Sequence, residues 1–226
     1  GFTAGQPLQK GAGRAGERVL YAVSTASRNM APAEAVKAVT EAALLLLGRG
    51  IRPAFKKIDS TLRGPWAAEV AALRAVLRPE VVAVCPAFPV WDRTVGAGVV
   101  WCHGEAIGAL APALEAAGIA GARIGDAETD DDLATFVESV LAEQRSVLWV
   151  GSAGLARFAF GQVGALPDPL PVARRWLIVA GSTHPVTLAQ VEAARAAGLR
   201  VVTEAPEAVE PGVGLFLIGG DTAELV

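Results

Sequence analysis

From Phe55 to Gly64 the chain reads Phe-Lys-Lys-Ile-Asp-Ser-Thr-Leu-Arg-Gly, its densest run of chemically able side chains. Arg63 can grip a carboxylate bidentately, and Lys56 and Lys57 can neutralise charge. Ser60 and Thr61 add hydroxyls, and Asp59 can accept a proton or a hydroxyl hydrogen bond. Such a set suits a small anion whose protons must be managed. Helix capping by Asp, Ser or Thr accounts for part of the same pattern. Position strengthens the binding reading, because ligands of open α/β sheets sit beyond the carboxyl ends of strands.

Other strand ends carry further candidates. Ser24 to Arg28 closes a first strand and sets Arg28 at the same sheet edge as Arg63. Cys85-Pro86-Ala87-Phe88-Pro89, followed by Asp92-Arg93-Thr94, closes another; its prolines stiffen the loop and Arg93 offers a second anion contact. Gly181-Ser182-Thr183 follows a strand and opens a helix, a turn that aims backbone N–H groups at one point and suits phosphate as well as plain N-capping. Gly219-Gly220-Asp221-Thr222 repeats that arrangement, with glycines that admit close backbone approach. His184 reads as a loop residue without an acidic partner. Gly151 to Leu155 has neither the P-loop ending nor the dinucleotide spacing, and close packing explains it as well as a ligand. Thr129 before Asp130-Asp131-Asp132 reads as a capped helix start and not as a metal cluster.

These residues need a frame. Candidate strands are Val19–Thr25, Ala54–Ile58, Val81–Cys85, Ser146–Val150, Trp176–Ala180, Arg200–Thr203 and Gly214–Ile218. Helix-like patterns cover Pro32–Leu47, Trp66–Leu77, Asp130–Glu143, Ala153–Phe160 and Pro185–Ala197, with Pro32 and Pro185 suited to a first turn. The alternation implies an α/β protein of two domains with mainly parallel sheets flanked by helices. Three prolines within 161–174 mark a linker between a domain over 1–160 and a second over 175–226.

Composition bounds the function classes. With 52% hydrophobic and 19% charged residues the chain is globular. A net charge of -3 gives no general attraction for nucleic acid or an anionic membrane. Cys85, Cys102, His103 and His184 lack zinc spacing, so the reading is no metal site, no disulfide framework and a reducing cytoplasm. The apolar run Ala42–Leu47 is too short for a bilayer and fits one face of a buried helix. No secretory signal pattern opens the chain. A homo-oligomer is left open.

Taken together the motifs resemble those of the four-carbon acid sugar kinase family. Lys56 to Gly64 resembles that family's most distinctive motif, and Pro86 to Pro89 with Arg93-Thr94 resembles the next. Thr25, Ser27 and Arg28 match an early element; Asp126 to Leu133 and Gly151 to Leu155 match later ones. Gly181 to Thr187 and Gly219 to Thr222 resemble nucleotide-domain turns. The resemblance implies a sugar-acid domain and a nucleotide domain, with ATP and Mg²⁺ used to phosphorylate a threonate- or erythronate-like acid. It implies a substrate site of Arg28, Lys56, Lys57, Asp59, Ser60, Arg63 and Arg93. Asp59 would orient or deprotonate the attacking hydroxyl. Gly181, Ser182, Thr183, Gly219, Gly220, Asp221 and Thr222 would hold ATP. The chain departs from the family in three places: no Ala-Asp-Asp element precedes Val19, the segment between Gly104 and Asp126 is short, and four residues follow Thr222. These departures imply an incomplete nucleotide domain, and make a catalytically degenerate sugar-acid-binding protein the alternative.

Overall fold

The computed structural model describes residues 21–160, 176–180, 185–202 and 214–218. The chain divides into two compact units, Gly1–Val163 and Gly164–Val226.

The first unit opens with α1 (Pro32–Leu47), whose proline occupies the first turn, where a missing N–H costs nothing. Ala35, Val39, Ala43 and Leu46 form its buried stripe, at helical spacing. The run Ala42–Leu47 is therefore only partly inside: Leu44 is 55% exposed and Leu45 is also exposed, because six consecutive apolar residues outrun one helix face. Strand β1 (Phe55–Lys57) leads to α2 (Trp66–Leu77), which packs on α1 and buries Trp66, Val70, Leu73 and Leu77. β2 (Val81–Cys85) is buried at every position, the mark of a strand covered on both faces.

A three-stranded antiparallel sheet comes next, formed by β3 (Arg93–Gly96), β4 (Val99–Cys102) and β5 (Glu105–Ala109). It adds to the expected parallel architecture. Two tight turns build it, Ala97-Gly98 and His103-Gly104, and all four residues have positive φ, as turns matched to strand twist demand. Asp126 fixes the first turn by accepting from the N–H groups of Ala97 (3.0 Å) and Gly98 (2.9 Å). After α3 (Leu110–Ala116) and the two-residue β6 (Arg123–Ile124) comes α4 (Asp130–Leu141), started by Thr129 and Asp132 in a reciprocal capping box. β7 (Val147–Gly151) and α5 (Ala153–Ala159) complete the unit. The main sheet is parallel in the order β1-β7-β2-β6, so the loops after β1 and β2 emerge on either side of the end of β7.

One expected strand is corrected. Residues 21–25 alternate between half-buried and exposed, as a strand would, but among the described residues pair with no neighbour and form no ladder; Val19 and Leu20 lie outside the described residues. Among the described residues of the second unit, β8 (Trp176–Ala180), β9 (Arg200–Val202) and β10 (Gly214–Ile218) form a parallel sheet in the order β8-β10-β9, with α6 (Pro185–Ala196) between β8 and β9 in the chain. The 161–174 linker, His184 and Thr203 fall outside the described residues.

Candidate anion-binding site

The site begins where β1 ends. The Ile58 N–H donates to the Gly151 carbonyl at 2.9 Å, pinning the chain to β7 before it leaves the sheet. Asp59 then folds the loop back on itself. Its Oδ2 accepts from the Thr61 N–H (3.1 Å) and hydroxyl (2.6 Å), and its carbonyl accepts from the Leu62 N–H at 3.1 Å. This is the turn an aspartate makes with its own following backbone. The same carboxylate takes both ends of the Arg63 fork, Nε at 3.0 Å and Nη2 at 2.8 Å, and meets Arg28 Nη1 at 3.5 Å. Burial pushes the Asp59 carboxyl up, but the bonds from Arg63 and Thr61 outweigh it and hold the group well below the usual carboxylate range. A carboxylate so placed is a firm anchor and a weak proton acceptor.

Gly64 closes the turn at φ +86°, and a Cβ there would stand 2.6 Å from the Arg28 carbonyl. Only glycine allows that approach, which brings the Arg28 turn against the Asp59 loop. Arg28 itself lies in a short 3-10 turn, Ser27–Asn29.

Lys56 points to the helix side. Its ammonium pairs with Glu69 of α2 at 2.7 Å, and the other oxygen of Glu69 accepts from the Ser27 hydroxyl. Lys57 donates to the Ile58 carbonyl at 2.6 Å. Although the residue is exposed overall, burial around its ammonium lowers the pKa, with Lys56 and Arg28 adding to that and Asp59 opposing it.

From the other side of β7, the loop after β2 brings Arg93. Its Nη1 donates to the buried Ser60 hydroxyl at 2.8 Å. Its Nε is buried without any acceptor, and among the described residues no carboxylate pairs with it. Arg28, Lys56, Lys57, Asp59, Ser60, Arg63 and Arg93 thus meet at one sheet edge. Gly151 to Gly154 lie between them as packing: the Ser152 hydroxyl donates to the Ala87 carbonyl at 2.7 Å and caps α5 at Gly154. Glu69 is the site residue that motif reading passed over. Its signal is position, three residues after Trp66 and four before Leu73 on the buried face of α2.

Gly181, Ser182, Thr183, Gly219, Gly220, Asp221 and Thr222 lie outside the described residues. Asp130 pairs with Arg157 at 2.9 Å while Asp132 serves the cap. Among the described residues no group of three or more His, Cys, Asp or Glu side chains could hold a metal ion, and no helix is long and apolar enough to cross a membrane. A concavity of about 390 Å³ lined by Arg74, Arg78, Pro79 and Ile119 shares none of these residues.

Comparison with known proteins agrees with this geometry. The family model described as a sugar-binding N-terminal domain matches residues 6–115. A D-threonate kinase of Cupriavidus necator is 34% identical over 191 residues, covering 64% of this chain and 45% of that protein. A D-erythronate kinase of Heliobacterium modesticaldum is 40% identical over 85 residues, 37% of this chain and 19% of the relative. The chain therefore spans less than half the length of these curated relatives. A Bordetella bronchiseptica protein, solved with bound citrate as a domain-swapped dimer, is 29% identical with a TM-score of 0.51, over 80% of this chain and 53% of that one. With the motif loop, the Arg93 loop and the parallel sheet in place, residues 6–115 match the sugar-binding N-terminal domain, and the similarity to these kinases supports the four-carbon acid sugar kinase family.

Proposed function

We propose that the first unit binds a small sugar acid of the threonate or erythronate type by its carboxylate, and that the protein serves its ATP-dependent phosphorylation. One observation carries this reading. Among the described residues five cations, Arg28, Lys56, Lys57, Arg63 and Arg93, face two carboxylates, Asp59 and Glu69, and the buried Nε of Arg93 lacks an acceptor. A guanidinium in that state is stabilised by an incoming anion, and its fork matches a carboxylate. The names of the relatives and the citrate held by the Bordetella protein support a carboxylic acid ligand. Arg28, Lys57 and Arg93 are the cations left to meet it, while Asp59 and Ser60 hold two of the arginines in place.

The second unit would take ATP at the turns after β8 and β10, with Mg²⁺ accompanying the phosphates. A cytoplasmic setting follows from the use of ATP, and the domain-swapped relative supports self-association. A catalytically degenerate binding protein is the second reading, favoured by the Asp59 carboxylate being fully engaged by Arg63 and Thr61.

Titration of the chain with D-threonate and D-erythronate tests the acid site. Arg93→Ala should weaken the better ligand at least about tenfold, the value of one charge-assisted bond. Unchanged affinity would remove Arg93 from the site. Coupled ADP release with the same acids separates kinase from binding protein.

A further inference from the structure

We infer that Glu69 is a positioning residue of the anion site, the clamp that holds the Arg28 turn against the end of β1. The identity of the ligand rests on the proposed function; the clamp does not.

Glu69 is 4% exposed, on a helix face otherwise made of Trp66, Val70, Leu73 and Leu77. A carboxylate there is costly unless both oxygens are satisfied, and they are. Oε2 takes the Lys56 ammonium at 2.7 Å and Oε1 takes the Ser27 hydroxyl. Ser27, itself buried, is also bonded to the Thr25 hydroxyl at 2.7 Å. One carboxylate thereby ties β1, α2 and the segment from Thr25 to Ser27 together.

The residue this arrangement serves is Arg28. Its side chain is 56% exposed and, among the described residues, holds the single 3.5 Å contact with Asp59, so those bonds do not place it. Its backbone is placed by Ser27 on one side and by the close approach of Gly64 on the other. Ala26, just before Ser27, has φ +49°, a conformation that a non-glycine residue adopts at a cost and keeps only where its surroundings enforce it. The Ser27–Glu69 bond supplies that enforcement. Glu69 touches no ligand in this scheme; it acts through the placement of Arg28, with Lys56 as its counter-ion.

Glu69→Gln keeps the volume but gives up the charge: its one carbonyl oxygen meets Lys56 as a neutral acceptor, and the Ser27 hydroxyl must turn round to accept from the new amide, so both bonds weaken. Amide hydrogen exchange over residues 26–30 should quicken, and the dissociation constant for D-threonate should rise about tenfold. Ser27→Ala, which leaves α2 untouched, should reproduce the faster exchange even if the glutamine variant folds poorly. In a double-mutant cycle with Arg28→Ala, the Glu69→Gln loss should largely vanish once Arg28 is gone, since the two act as one unit. Additive losses, or unchanged exchange over 26–30 in both variants, would overturn the proposal. If the parent chain binds no D-threonate, the ligand assignment fails by itself and the exchange comparison still decides the clamp.

Discussion

Replacing Asp59 by Asn isolates what an ionised carboxylate does at the centre of this loop. The amide keeps the shape but gives up the charge and one acceptor. Whichever way it turns, its NH₂ faces donors. At the Oδ1 position it meets Arg63 Nη2 and Arg28 Nη1, and at Oδ2 it meets Thr61 N–H, the Thr61 hydroxyl and Arg63 Nε. Bonds to a charged group are each worth about 1.5–3 kcal/mol when sheltered. The side chain of Arg63 is 66% exposed, however, so water recovers much of its share, and a net loss of about 1–2 kcal/mol is expected. The effect must also depend on pH. A carboxyl held below its ordinary value contributes its full stability above the unfolded value, about 4, and loses it as the pH falls toward the folded one. Urea denaturation of the two proteins should therefore show a clear gap at pH 7 that narrows progressively from about pH 5 toward pH 2. A gap of the same size at pH 7 and pH 2, or none at pH 7, would refute the claim that the charge organises this turn.

Two further outcomes are expected from the same geometry. Gly154→Ala would drive a Cβ into the Ala87 carbonyl and within 3.2 Å of the Phe88 Cα, so a loss of about 2 kcal/mol in denaturant melts is expected; unaltered stability would show that the loop after β2 yields. Lys57 has a lowered pKa in the free protein because burial disfavours its charge, and a bound carboxylate would raise it again, so binding should take up protons as the pH rises toward the ordinary lysine value. Calorimetry in buffers of different ionisation enthalpy measures this, and zero uptake throughout would place Lys57 away from the ligand.

Helices α1, α2, α4 and α5 of the first unit were legible in the sequence, two of them by the chemistry of their starts; α3, short and without a side-chain cap, was not. Pro32 sets the first turn of α1, and Thr129 with Asp132 closes the box at α4. β2 was legible as an unbroken apolar run of strand length. The antiparallel sheet was not, since β4 buries only Val100 and its alternation is too brief to stand out. Its turn pairs Ala97-Gly98 and His103-Gly104 were passed over, because such pairs need recognisable flanking strands to stand out as hairpins. The motif residues of the β1 and β2 loops could be gathered from sequence because parallel strand ends deliver them to one edge; Arg28 arrives from a 3-10 turn with no strand before it among the described residues. What the sequence could not distribute was charge. Which lysine meets Glu69 and which arginine meets Asp59 depends on side-chain direction, and neighbours in sequence give no sign of it.

That distribution decides how the cations should be understood. Arg63 and Lys56 sit in the most distinctive part of the motif, yet each already has a carboxylate, Asp59 and Glu69 respectively. Arg28 shares Asp59 at the limit of a contact, and Lys57 and Arg93 pair with no carboxylate among the described residues. Folding alone gives no reason to leave a buried guanidinium nitrogen without an acceptor, because the lost hydration is not offset. An anion that arrives later does offset it. The acidic residues therefore divide the cluster in two. Asp59 and Glu69 turn one arginine and one lysine into scaffold, and the cations they leave unmatched are the ones whose removal should be felt in binding. Motif density, which first drew attention to 55–64, measures the scaffold more than the grip: Arg28 and Arg93, two of the three unmatched cations, come from outside that run.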